Sequence, residues 1–392
     1  MDFLIMDFFL SLAAITLCLT AAISLEVAVG LRRMTRLDQV KPHGGQNPPK
    51  VSIVVPACNE AATIEPALLT MQALDYADLE IIAVNDRSTD ATGEVLARLE
   101  ETYSRLRVYT VTSLPDGWLG KNHALQLGAE QAGGDYLLFT DADIIMEKTA
   151  LSRAMHHVLS EGLDHLCVFF DNQADGGLLN ALFVDIGGGL LHLFKPWLAK
   201  DPKSKRFMGV GAFNLVKASS YREIQGHRTI AMHPIDDVML GKVLKRSGFR
   251  QDCLLSHGLI SVKWYATVRG LIDGLMKNSF AACDYRLSRV AAGVLALFLL
   301  NILPLWALVL TNGLTAALFG ASVCVRILSF ADGCRRAGLN PLFSFWSIAT
   351  PYLAIYVLVK ATWTTLRKNG IEWRGTFYPL QKLKDGAMRI RG

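Results

Sequence analysis

From Lys50 onward the chain alternates short apolar runs with longer segments whose apolar residues recur every three or four positions. Val51 to Ala57 (VSIVVPA) reads as a strand with Pro56 near its end, and the segment NEAATIEPALLTMQAL after it has helical spacing. Glu80 to Asp86 (EIIAVND) predicts a second strand. A second helix follows over STDATGEVLARLEETY, with Ser88 and Thr89 placed for its N-cap. Leu106 to Thr112 predicts a third strand, Lys121 to Gly133 a third helix, and YLLFTDA a fourth strand. This alternation predicts an α/β fold: a mixed, mostly parallel sheet flanked by helices. Ligands of such sheets gather beyond the carboxyl ends of the strands, where Asn59, Glu60, Asp86, Asp141 and Asp143 all stand.

Other stretches carry no such alternation. Residues 8–25 are uncharged and of the length a bilayer requires, about 20 residues of helix, and predict an N-terminal transmembrane anchor. A second apolar block, Val290 to Phe330, is long enough for two helices with a break near Thr311-Asn312-Gly313, and a third, Leu342 to Val359, is interrupted by Pro351. Gly177 to Phe194 predicts either an interfacial helix that guides lipid or a buried one. The predicted organisation is an anchor over 1–30, a linker over 31–49, a catalytic domain over 50–285, transmembrane or interfacial helices over 286–362 and a basic tail over 363–392. Arg32, Arg33, Arg36 and Lys41 follow the first helix and Arg286 and Arg289 precede the second, which puts the intervening domain in the cytosol. The same count puts the basic tail outside, unless Leu342 to Val359 is a re-entrant or interfacial segment bent at Pro351.

Composition agrees. Half of the residues are hydrophobic (51%), too many for a wholly soluble chain of 392 residues. The net charge of +5 fits juxtamembrane basic residues and not a nucleic-acid footprint. The cysteines lack any C-x-x-C spacing, so neither a zinc site nor a disulfide framework is indicated.

The usual phosphate-binding fingerprints are missing: PACNEAATI follows the first strand without glycines, and GWLGKN lacks the P-loop spacing. A divalent cation is the alternative. Asp141 and Asp143, two apart on a strand end, project to the same side and suit Mg²⁺ or Mn²⁺, which would also neutralise a diphosphate. Asp236 and Asp237 form a second acid pair that would serve as base or as helix N-cap. Gly209 and Gly211 lie in GVGAFNLVK, where backbone approaches a ligand or turns a tight hairpin, and His233 precedes the acid pair.

Taken in order, VSIVVPACNEAATI, AVNDRSTDAT and LPDGWLGKNHALQLGAEQAGGDYLLFTDADI resemble family 2 glycosyltransferases of the GT-A fold. GWLGKN and the carboxy-terminal IEWRGTFY look like the membrane-bound branch that glycosylates lipids, including hopanoid-associated, carotenoid-acid and ceramide-type transferases. The resemblance covers residues 50–285 and the tail. It implies that Pro56, Asn59 and Glu60 shape a nucleotide pocket, that Asp86 contacts base or ribose, and that Lys121 and Asn122 lie on the nucleotide side. Asp141-Ala142-Asp143 would be the D-x-D metal motif, with Asp141 also facing the nucleotide-sugar. Asp237 would be the catalytic base, with Asp236 in the preceding acidic position. Gly209, Gly211 and His233 would line the sugar or acceptor pocket. The family's downstream R-W motif is absent, and Trp264 and Lys277 are the residues available to take part of its role. The activity implied is inverting, metal-dependent transfer of a sugar from a nucleotide-sugar, UDP by analogy, to a membrane lipid. Rival readings are a processive polysaccharide synthase, a polyprenyl-phosphate glycosyltransferase and a non-catalytic nucleotide-binding scaffold.

Overall fold

The computed structural model describes residues 2–45 and 47–389. They form two compact units, one of residues 34–173, 196–263 and 368–392, the other of residues 1–33, 174–195 and 264–367. Against the expected boundaries at 50 and 285, residues 174–195 and 264–285 group with the apolar unit, and residues 368–392 group with the sheet unit.

Among the described residues twelve strands run in chain order: β1 (Val51–Ala57), β2 (Leu79–Asp86), β3 (Leu106–Val111), β4 (Tyr136–Phe139), β5 (Ile145–Met146), β6 (His165–Phe169), β7 (Asp171–Asn172), β8 (Asn214–Lys217), β9 (Gln251–Leu255), β10 (Ile260–Val262), β11 (Gly370–Trp373) and β12 (Thr376–Pro379). Seven of them form the main sheet, in the order β3-β2-β1-β4-β8-β6-β9, with a small sheet β5-β10-β7 and the hairpin β11-β12 beside it. β1 and β2 are buried along nearly their whole length, which is why they read as unbroken apolar runs. Within the main sheet all neighbours are parallel except β8, which runs antiparallel to both β4 and β6.

Strand order reverses at β1. The chain builds outward through β2 and β3, then returns to β4 on the other flank, leaving a crevice at the carboxyl ends of β1 and β4. Pairing of β1 with β4 stops at Val54–Phe139, while pairing with β2 continues to Ala57–Asn85. Pro56, which has no N–H to donate, lies beyond the last β4 pairing.

One core cluster joins Val54, Leu137, Phe139 and Val216 of the sheet to Leu125 of the helix Gly120–Gln131 and to Leu240 and Leu244 of the helix Asp236–Arg246. Each leucine so buried contributes about 1.5–3 kcal/mol. The helix carrying the second acid pair is thereby fixed to the same sheet as the first.

Among the described residues four helical stretches are long and apolar enough to cross a membrane: Asp7–Arg33, Gly177–Leu198, Leu287–Leu310 and Gly313–Arg336. The break between the last two falls at residues 311–312, as the sequence predicts. Pro341–Ile348 and Thr350–Lys368 form a further pair bent by 56°. Within the apolar unit Arg326 is paired with Asp185 at 3.1 Å, an ionic contact that lets both charges sit among apolar helices.

Candidate active site

The turns after β1 and β2 are tied to one another. Asn59 adopts a left-handed conformation (φ 57°); its N–H donates to Ser88 Oγ (3.1 Å), and its Oδ1 accepts from Thr89 N (2.8 Å). Ser88 and Thr89 are thus spent on this bridge and do not cap the following helix, which starts at Thr92. Asp90 holds that start instead, accepting from Thr92 N at 3.0 Å. Glu60 is fixed by Thr63 Oγ1 (2.9 Å) and by Arg374. Asp86 is buried, and both of its oxygens accept from Arg87, at 2.8 and 3.0 Å.

The acids of the crevice converge. Lys121, at the start of the helix Gly120–Gln131, places Nζ 2.7 Å from Asp141 Oδ1 and 3.3 Å from Asp236 Oδ2. Burial opposes its charge, but Asp141, Asp236 and Asp237 outweigh that and hold its pKa above the ordinary lysine value. The Gly211 peptide joins the two acid motifs: its N–H donates to Asp237 Oδ2 (2.8 Å), and its carbonyl accepts from Asp141 N (3.2 Å). A Cβ at Gly211 would lie 2.9 Å from Asp141 Oδ2, and one at Gly209 would lie 1.9 Å from the Asp237 carbonyl oxygen. Close backbone approach therefore explains both glycines. Burial, reinforced by Asp236, pushes the Asp237 carboxyl above the usual range. Burial and then the neighbouring charges of Asp141 and Glu60 raise Asp143 to about 7.

Among the described residues no three acidic, histidine or cysteine side chains form a preformed metal cage. The donor set nonetheless fits a hard divalent cation of the kind held by one or two carboxylates and completed by substrate phosphates and water. Asp143 is a hindered carboxyl in a pocket already crowded with negative charge, and a cation would relieve that crowding.

Four further expected residues are placed as follows. Asn122 is buried, and its Nδ2 donates to the carbonyls of Ile230, Ala231 and His233, so it braces a loop. Trp264 belongs to the apolar unit, packing edge-on to Phe183 at 6.0 Å, and Lys277 lies in the helix Val268–Ala282 of that unit. His233 is buried, and its Nδ1 accepts from Ile235 N (3.2 Å) within the turn before the acid pair.

The hairpin β11-β12 supplies residues that pattern reading alone does not reach. Its turn holds Arg374 (φ 51°) and Gly375 (φ 74°), and Arg374 donates to the carbonyls of Cys58 and Asn59 as well as to Glu60. Thr376 Oγ1 accepts from Arg87 (3.1 Å), and Tyr378 Oη accepts from Gly120 N (3.2 Å). The available signal was the left-handed Arg-Gly pair within IEWRGTFY, which suits a tight hairpin.

Residues 52–224 match the family model described as glycosyl transferase family 2. The chain is 26% identical to a 4,4'-diaponeurosporenoate glycosyltransferase of Staphylococcus haemolyticus over 61% of its own length, spanning 63% of that relative. It is 32% identical over 214 residues to a GalNAc(5)-diNAcBac-PP-undecaprenol beta-1,3-glucosyltransferase of Campylobacter jejuni, covering 49% of this chain and 68% of the relative. In fold it is similar to the mannosyltransferase PcManGT of Pyrobaculum calidifontis, solved with GDP-Man and Mn²⁺ (TM-score 0.56, 18% identity, 91% of this chain and 99% of that one). The matched segment contains β1, β2, β4 and the crevice acids up to Gly211, and a relative is matched over two-thirds of its length, so this chain is a glycosyltransferase of family 2.

Proposed function

We propose that the chain is an integral membrane, metal-dependent, inverting glycosyltransferase that moves a sugar from a nucleotide-sugar, UDP being the first donor to test, to a lipid acceptor at the cytosolic face. The observation that carries this reading is the Gly211 peptide, hydrogen-bonded to Asp237 on one side and to Asp141 on the other. A base and a leaving-group site must lie on opposite sides of one reacting carbon, and this peptide spaces the two acid motifs at that scale.

Asp237 accepts the proton of the acceptor hydroxyl as that oxygen attacks the anomeric carbon. The bond to the donor phosphate breaks from the opposite side, which inverts the configuration. Lys121 lies beside Asp141 and Asp236, and its cation steadies negative charge on the departing diphosphate. Asp141 and Asp143 would hold a divalent cation, which supplies Lewis-acid stabilisation of the leaving diphosphate. Arg374 and Arg87 fix Glu60 and Asp86 as the walls of the nucleoside pocket.

The relatives' names support a lipid-related acceptor. One of them names a PP-undecaprenol-linked acceptor, which favours a polyprenyl-linked lipid as the second reading. The test uses the full chain in detergent with lipid extract or undecaprenyl phosphate, Mg²⁺ or Mn²⁺, and a panel of UDP-, GDP- and dTDP-sugars, read by mass spectrometry of the lipids. A single added sugar in the wild type, absent in Asp237→Asn, is expected. Nucleotide binding without diphosphate release from any donor would leave the scaffold reading standing instead.

A further inference from the structure

We propose that Asn122 and Asn214 are positioning residues that hold the two ends of the segment 230–237 and so aim the Asp237 carboxylate. This rests on the reading of Asp237 as the general base.

At the first end, Asn122 Nδ2 donates to the carbonyls of Ile230 (2.9 Å), Ala231 (3.1 Å) and His233 (3.0 Å). Its two hydrogens are shared among three carbonyls, while its Oδ1 is buried without a donor. Among side chains of this size, only an amide offers two hydrogens to backbone oxygens without bringing a charge into the core.

At the second end a line of buried side chains crosses three neighbouring strands. Gln251 on β9 accepts from Met208 N at Oε1 (2.9 Å) and donates from Nε2 to the Gly241 carbonyl (3.0 Å). Those two backbone partners fix which way its amide points. Its Nε2 therefore also donates to His165 Nδ1 (2.6 Å), so the His165 proton must sit on Nε2. That proton is donated to Asn214 Oδ1, which turns the Asn214 NH₂ toward the Asp237 carbonyl (3.4 Å). Each orientation follows from the one before it, starting at a backbone N–H that cannot be reversed. Gly209 closes against the same Asp237 carbonyl, where a Cβ would stand 1.9 Å away.

The line ends on both members of the site's frame. Met208 leads into the loop that carries Gly211, and Asp237 and Gly241 lie on the first two turns of the acid-bearing helix. His165, Asn214 and Gln251 are all nearly inaccessible, at 0%, 2% and 1% exposure, where apolar residues would fill a sheet core equally well. What apolar residues would lose is the fixed distance between the Gly211 N–H and the Asp237 carboxylate.

The test compares Asn122→Asp, Asn214→Leu, His165→Phe and His165→Gln with the wild type, as full chains in detergent. Hydrogen–deuterium exchange, which needs no substrate, is expected to accelerate about tenfold or more in peptides covering 207–212 and 230–241, with β1, β2 and β4 unchanged. With a donor and lipid pair that turns over, kcat per nucleotide-binding site is expected to fall about 100-fold, as for a displacement of about 1 Å, with donor KM within about threefold. His165→Gln keeps a donor toward Asn214 and should recover most of what His165→Phe loses. Uniform acceleration across the sheet, no local change, or an unchanged kcat per binding site would each overturn the proposal. Wild-type turnover in Asp237→Asn would instead remove the base assignment, a result readable separately from local exchange.

Discussion

The chemistry turns on a few carboxylates whose surroundings differ. Asp237 is half-buried beside the buried Asp236, and its raised pKa makes it a better proton acceptor near neutral pH than an exposed aspartate near pKa 3.9. Asp237→Asn should lower kcat by about 10²–10⁴-fold and leave nucleotide binding intact, as stopped-time assays and titration calorimetry with free UDP and GDP would report. The base works only when deprotonated. Activity of the wild type should therefore fall as pH drops through that raised value, on an acid limb lying above the ordinary aspartate range. A stability effect of the same sign comes from His165 and His227, which burial pushes down to about 4 from 6.5. The unfolded chain binds protons that these rings refuse, so their stabilisation is complete above about pH 6.5 and is lost as pH falls toward 4, by up to about 1.4 kcal/mol per unit for each ring. Thermal unfolding between pH 7 and 4.5 would show it, with a shallower slope in His165→Gln.

Among the elements, the parallel strands were legible because burial on both faces leaves a continuous apolar signature, and the acids stood out by ending such runs. The antiparallel β8 was not. Its NLVK segment is short, and its place between β4 and β6 depends on pairing with residues far away in sequence. The hairpin β11-β12 lies in the motif IEWRGTFY that the sequence singled out, but its pairing partners did not show there, since Cys58, Asn59 and Glu60 lie more than 300 residues earlier. The nucleoside-pocket role proposed for it gives a direct prediction. Arg374→Ala removes the charged contact to Glu60 and should weaken UDP or GDP binding by about tenfold, the loss of one charge-assisted hydrogen bond. Titration calorimetry with the free nucleotides measures it, and a kcat measured at saturating donor should change little.

For the molecule as a whole, chain continuity limits the membrane crossings. If the sheet unit lies on one side of a membrane, as proposed above, residues 173 and 196 share that side, and the helix Gly177–Phe194 between them would lead out and back as an interfacial helix does. Residues 263 and 368 also belong to that unit, which requires an even number of crossings between them. On the same proposal Leu287–Leu310 and Gly313–Arg336 would make two, and the pair bent by 56° would turn back without crossing. That proposal puts the basic tail on the side of the sheet unit, in keeping with the charge bias that follows the first helix. Single cysteines at Glu101 and Lys382, in a cysteine-depleted background, should react with an impermeant maleimide only after the cell membrane is opened. Labelling of Lys382→Cys alone in intact cells would show that the bent pair crosses.

The sequence by itself determined the parallel α/β sheet, the apolar segments and the strand-end addresses of Asp86, Asp141 and Asp143, because strand periodicity, bilayer length and strand termini are local properties. It also carried the acid pair Asp236-Asp237 through a short motif. Only the tertiary structure decided that Asn122 gathers loop carbonyls, that the Gly211 peptide spaces Asp141 from Asp237, and that the tail closes on the β1 turn. Those arrangements rest on backbone atoms brought together from distant strands, and a backbone carbonyl or N–H carries no side-chain signal by which a sequence could announce it.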